Sequence, residues 1–310
     1  MLNPGTIAEA ARVETGFEGA SRRAAQSYWS ESWERLRRDR IAMLCGAVIV
    51  AMGVLALAAP LIASFITHHT FSAQDLDSNF ASPGTPGHWL GTDELGRDTL
   101  TRLVYGAQVS MGVALITVTL SLTVGTTVGL VSGYYGHWVD DILMRFVDMI
   151  LSIPRIFLFI LVGVLFFRKS NLFTISLVIG SVGWGGTARL VRGEVLSLRA
   201  RDFMLASRSI GGSDFRLIRV HLLPNVLPIL IVAASLGVGG IILAEAALDF
   251  LGFGIHPPTP SWGNMLTNAQ SYFAHSPWLA FLPGLSIFIT VLAANVFGNG
   301  VRDAFDPKLK

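Results

Sequence analysis

Residues 41–66 read IAMLCGAVIVAMGVLALAAPLIASFI, a run without one charged side chain. A helix rises about 1.5 Å per residue, so some 20 apolar residues cross the hydrocarbon of a bilayer. The run meets that length. It is longer than the core of a signal peptide and follows a charged tail, so it reads as a retained membrane anchor. The single cysteine, Cys45, lies inside it. That leaves no disulfide framework and no cysteine-based metal site.

The rest of the chain extends this reading. Of the 310 residues 52% are hydrophobic and 14% charged, and the mean hydropathy is +0.56, a balance for which a soluble domain has too little polar surface. Uncharged runs at 103–133, 170–188, 222–244 and 278–301 predict four further spans. A sixth, 141–167, carries Asp141, Arg145 and Asp148 in its first turns and Arg155 just after Pro154; its charged start is expected at the membrane interface. The expected fold is an all-α polytopic membrane protein of six transmembrane helices.

Cytoplasmic segments near spans hold the excess of Lys and Arg. With the N-terminus inside, 18 of these residues fall on inner segments and four on outer ones, with Arg155 left in the membrane. Both termini are therefore expected in the cytoplasm. A net charge of +2 gives no reason to expect a nucleic-acid partner. Trp29, Trp33 and Leu36 recur at helical spacing among Arg35, Arg37, Arg38 and Arg40, which suits an interfacial helix on the inner leaflet. The expected organisation is a poorly ordered tail (1–25), the interfacial helix and first span (26–67), a periplasmic segment (68–102), a core of five spans (103–301) containing a cytoplasmic loop (189–223), and a tail (302–310).

That loop is the most informative segment. Residues 202–210 have helix-forming content, Gly211 and Gly212 break it, and Ser213 or Asp214 can cap a second helix with Phe215, Ile218 and Leu222 on one face. Pro224 is expected to end that helix. A rigid, basic, bent element suits docking onto a cytoplasmic partner, and an ordinary basic loop fits the same pattern.

Other residues allow two readings each. Thr92 is expected to cap a helix with Asp93 and Glu94 in its first turn and Asp98 four residues before Arg102. Gly125, Gly129 and Gly133 leave one helix face bare, for close packing or for a smooth wall of a translocation path. Glu245 and Asp249 share a face at the outer end of the fifth span. They could meet a ligand's amino group, or sit at the interface with access to water. Arg155 is placed to snorkel or to pair with Asp148. The seven histidines show no HExxH pattern and no close pair except His68 and His69; adjacent residues point to different sides, so no metal site is expected. No G-x-x-x-x-G-K-[ST] loop and no Gly-x-Ser-x-Gly elbow occurs. The chain is thus expected to bind no cofactor and to catalyse no reaction.

The stretch Leu205-Ala206-Ser207, three residues, Gly211, nine residues, His221-Leu222-Leu223-Pro224 resembles the EAA loop of binding-protein-dependent ABC importer permeases. Ala206, Gly211, Leu223 and Pro224 match; Leu205, Ser207 and His221 stand where that family has Glu, Ala and Ile. The stretch from His88 to Asp98, Gly133-Tyr134-Tyr135-Gly136, the segment from Leu248 through Trp262-Gly263, and the ending from Arg302 to Pro307 are similar to the C-type permease of dipeptide and oligopeptide importers, a group that also takes up nickel chelates and glutathione. The resemblance covers roughly residues 30–310. It implies a coupling element at Ala206, Ser207, Gly211, Gly212, Asp214, Leu223 and Pro224 that docks into an ATPase. It also implies a homologous second permease, two ATP-binding-cassette subunits that handle ATP and Mg, and an extracytoplasmic peptide-binding protein. Glu245 and Asp249 are the candidates for a substrate path. An ion-coupled secondary transporter would instead show buried ionisable residues at the midplane and repeated broken helices, and only Arg155 fits that loosely.

Overall fold

The computed structural model of the chain describes residues 29–166, 170–267, 269 and 271–306. The expected tail at 1–25 lies outside them. Among the described residues the chain is helical with irregular connections, and no β-strand forms beyond two isolated bridges in one loop.

Helix α1 covers residues 29–38. Asp39 then caps α2 (Arg40–Leu57), its carboxylate accepting from the N–H groups of Ile41 and Ala42. The helix breaks one residue before Ala59, because Pro60 cannot donate to the preceding turn; α3 (Ala59–Ile62) starts there and winds into a π turn, Ala63–Thr67. The first predicted span is therefore helical in two pieces. Leu36 of α1 is buried with Ala42 and with Val301 and Ala304 of the last helix, and Trp29 meets Phe305 edge-on at 5.2 Å. Trp33 is exposed.

Helix α4 (Thr99–Tyr135) is the central post. It packs along α7 (Leu172–Arg199), and the glycine stripe makes that possible. A Cβ at Gly129 would lie 2.6 Å from the Ala188 carbonyl oxygen, and one at Gly133 would lie 2.8 Å from the Val195 Cβ. The stripe thus serves packing, with α7 occupying the face that a path would have needed.

The sixth predicted span is two helices, α5 (His137–Ser152) and α6 (Arg155–Phe166), bent by 96°. Pro154 disfavours the helical conformation for the residue before it, and Ile153 is accordingly extended at φ −94°, ψ 134°. Helix α5 is amphipathic. Val147 and Asp140 are buried against the bundle, while Trp138, Ile142 and Met149 face outward. Asp148 pairs with Arg189 of α7, and not with Arg155; the bend carries Arg155 onto a different axis.

After α7 come α8 (Asp202–Ser209) and α9 (Asp214–Arg216), a π turn (Leu217–Leu222), α10 (Leu223–Phe250), α11 (Trp262–Thr267) and α12 (Trp278–Phe305). Helices α10 and α12 pack together, and α12 lies against α2. By length and composition α2, α4, the continuous segment Asp214–Phe250 and α12 can each cross a membrane, five segments if the bent pair α5/α6 is one span. Helix α7 has the length but carries five glycines and several polar residues toward its second half. It is shielded by α4.

Candidate functional site

The bent element begins at α8. Its end is a Schellman turn: Gly212 N–H donates to the Ser207 carbonyl at 3.0 Å and Gly211 N–H to the Arg208 carbonyl at 3.0 Å. Gly211 has φ +84°, the left-handed conformation that a side chain resists. At Gly212 a Cβ would sit 2.7 Å from the Ser207 carbonyl oxygen. The two glycines are thus required for different reasons, one by backbone conformation and one by space. Ser213 caps the next helix, its hydroxyl accepting from Arg216 N–H at 3.4 Å.

Two expectations for the second helix are corrected. Pro224 does not end it. The chain runs without a break from Asp214 to Phe250, and Pro224 sits in the first turn of α10, where a missing N–H is tolerated. The π turn absorbs the mismatch, with Leu223 N–H reaching back to the Ile218 carbonyl. That wider turn also changes the inward face. Leu217 and Leu222, five residues apart, are fully buried, whereas Phe215 is 70% exposed.

The element is tied to the spans. Met204, Leu217 and Leu222 share one apolar cluster with Leu130 and Tyr134 of α4 and Val191, Val195 and Leu198 of α7. The Tyr134 hydroxyl lies 2.5 Å from Asp214 Oδ1. The Arg208 guanidinium stands over the Tyr134 ring at 5.3 Å. The Tyr134 hydroxyl, and less strongly Asp214, hold the Arg208 pKa above its ordinary value. Ser207 Oγ and His221 Nε2 are 3.2 Å apart, closing the element on itself. Ala206, Gly211 and Pro224 are exposed, and so are Phe203, Leu205 and Ile210. Beside this site, Asp140 joins α5 to α7 through Arg192 and to α4 through Ser132. Tyr134 figured in the sequence only as part of the Gly133-Tyr134-Tyr135-Gly136 motif, without its contact to Asp214, and Met204 and Arg208 were missed. Tyr134 and Asp214 are 80 residues apart, and no local pattern signals such a pairing.

The acidic pair lies far along α10. Glu245 is 0% exposed and Asp249 3%, so the expected access to water is absent in this conformation. Asp249 accepts from Ile255 N–H at 2.5 Å and from the Ser261 hydroxyl, pinning the loop between α10 and α11. Glu245 Oε1 lies 3.3 Å from Ser110 Oγ, which also accepts from Trp262 N–H; among the described residues Glu245 Oε2 has no partner. Both carboxylates are turned onto the chain's own loop and offer no surface to a cargo in this conformation.

The loop before α4 departs from expectation as well. Thr92 caps no helix; its hydroxyl bonds Ala81 N–H and the Ser78 carbonyl. The cap is Asp98, whose Oδ1 accepts from Thr101 N–H at 2.7 Å. Arg102 turns to Asp93 at 3.3 Å, which Arg97 also grips at 2.7 Å. Here too His69, His88 and Asp98 converge, a cluster that spacing did not reveal.

A bundle of long apolar helices, one of them continuous with the second limb of a bent element, defines a polytopic membrane protein. The chain belongs to the family described as binding-protein-dependent transport system inner membrane components, whose profile matches residues 125–310. The N-terminal membrane domain of oligopeptide transport permease C matches residues 27–83. Over 286 residues the chain is 40% identical to the dipeptide transport system permease protein DppC of Alkalihalophilus pseudofirmus, covering 92% of each. It is 37% identical to DppC of Bacillus subtilis, covering 93% of this chain and 88% of that one. With the glutathione transport system permease protein GsiD of Pectobacterium atrosepticum the identity is 35%, over 93% of this chain and 94% of the relative. The chain is thus a multi-pass permease of the inner membrane.

Proposed function

We propose that this chain and a second, homologous permease line the path by which an ATP-binding-cassette importer carries dipeptides. One of two ATPase subunits grips the bent element Ala206–Pro224, the ATPase pair handles ATP and Mg, and an extracytoplasmic peptide-binding protein delivers cargo at the opposite end. The chain has six spans in this reading, with α7 and the bent pair α5/α6 among them, and both termini are cytoplasmic.

One observation carries it: the second limb of the element, from Asp214, runs without interruption into α10, and the element shares its apolar cluster with the ends of α4 and α7. Force on such an element reaches three helices at once. A lever passes on a conformational equilibrium only if its partner binds two positions with different free energy, and exposed Phe203, Leu205, Ile210 and Phe215 supply apolar surface for that grip. Dipeptides are favoured as cargo because the DppC relatives include the 40% identical one; glutathione is the second reading, on the GsiD relatives.

The test is copurification with an ATPase whose hydrolysis rises when loaded binding protein is added. Replacing Gly211 by Val forces a β-branched residue into the left-handed region, at about 1–2 kcal/mol, while nothing lies within 4 Å of its Cβ. Gly211→Val is expected to insert into the membrane normally, yet lose peptide uptake at least about tenfold, the factor that about 1.4 kcal/mol of lost coupling represents. Wild-type uptake by that variant, or transport by the chain alone, overturns the reading. Competition of di-, tri- and longer peptides, nickel chelates and glutathione for the cognate binding protein decides the cargo.

A further inference from the structure

Three segments distant in sequence meet beside the start of α4. The π turn ends at Thr67, and His68 takes a left-handed conformation at φ 57°, reversing the chain so that His69 folds over the loop that follows. His69 Nε2 lies 3.3 Å from the Gly87 carbonyl, and its ring stacks on His88 with centroids 4.6 Å apart and planes at 16°. His88 Nδ1 is 3.0 Å from Asp98 Oδ2. The other oxygen of Asp98 is fixed by Thr101, through its N–H and its hydroxyl, each at 2.7 Å. Each of the three residues offers one ligand atom, and these atoms lie within 4.8 Å of one another. His88 is 8% exposed and Asp98 2%, while His69 is half-buried.

We propose that His69, His88 and Asp98 bind one divalent transition-metal ion of the zinc class, which staples the end of the first span to the cap of α4. Two imidazoles and one carboxylate are the donor set of three-ligand zinc sites that keep a fourth position for water. Hard cations such as Mg²⁺ and Ca²⁺ prefer all-oxygen sets. The Thr101 bonds to Asp98 are the outer contacts that hold a ligating carboxylate in place. Stacked rings cannot both aim a lone pair at one ion, so closure needs the half-buried His69 ring to turn out of the stack, while His88 and Asp98 keep their places. The ion takes the position of the proton that His88 and Asp98 hold between them; that proton leaves Nδ1 and the ring takes one up at Nε2, so His88 ligates as neutral imidazole. This inference concerns the fold of the loop before α4 and stands apart from the assignment of the bent element.

The experiment uses the full-length chain, purified in detergent through a tag without histidine, and Zn²⁺ as probe. Titration calorimetry is expected to give one saturable equivalent per chain, and Zn²⁺ is expected to raise the melting temperature in a manner EDTA reverses. Co²⁺ is expected to give visible absorption bands of a low-coordinate site. His69→Ala, at a half-buried position, is expected to weaken Zn²⁺ binding by at least about tenfold, with the Co²⁺ bands lost. His68→Ala, its exposed neighbour, is expected to bind as wild type. Absence of saturable binding by the wild type, or binding by His69→Ala as tight as by the wild type, overturns the proposal.

Discussion

At the scale of single residues, the two carboxylates on α10 show how burial decides a role. Asp249 receives a backbone N–H at 2.5 Å and a hydroxyl, whereas one oxygen of Glu245 has no partner among the described residues. A hydrogen bond to a charged group contributes about 1.5–3 kcal/mol, and a buried group left unpaired costs a similar amount. Asp249→Ala is therefore expected to lose about 3 kcal/mol or more of stability, because it frees the loop before Trp262 and leaves Ile255 N–H unpaired. Glu245→Gln keeps the shape and the Ser110 contact and puts a permanently neutral group at the fully buried position, and it is expected to melt at or above the wild-type temperature. Thermal unfolding of both variants in one detergent checks the contrast; equal losses would mean that both carboxylates hold the loop.

At the scale of elements, the α4–α7 contact depends on absent side chains. A branched side chain at Gly129 must displace the Ala188 carbonyl or the Val191 side chain, whose nearest atoms lie 2.6 and 2.7 Å from a built Cβ. Overpacking of this kind costs about 1–3 kcal/mol. Gly129→Val is expected to lower the melting temperature and to broaden the size-exclusion profile, and Gly53→Ala, where nothing lies within 4 Å, is expected to do neither. This stripe was legible in the sequence because a spacing of four is a local property. So were the glycine bend after α8 and the existence of the apolar spans. The exceptions share one cause. Pro224 reads as a helix end only if every turn is α, and the π turn at Leu217–Leu222 escapes that assumption. Thr92 reads as a cap only if the following acidic residues are helical, yet Asp93 is turned instead to receive Arg97 and Arg102. Tertiary partners, invisible to spacing, decided both.

For the whole molecule, the length of α4 sets the frame. Its 37 residues span about 55 Å at 1.5 Å each, against about 40–45 Å for a bilayer with its headgroups. It is therefore long enough to cross the bilayer with residues to spare. One end carries Tyr134 with the bent element, and the other carries Asp98 with the histidines and the Arg102–Asp93 pair. In the proposed orientation the Tyr134 end is cytoplasmic: Arg192, Arg199, Arg201, Arg208, Arg216 and Arg219 belong to the segments at that end, and the cytoplasmic side retains such clusters. Intact cells offer a direct measurement. In a Cys45→Ser background, a cysteine replacing exposed Gln74, in the loop before α4, is expected to react with a membrane-impermeant maleimide. One replacing exposed Glu34, on α1, is expected to react only after permeabilisation. Reversal of that pattern would put the bent element on the side where no ATPase has access, and the coupling role would fall with it.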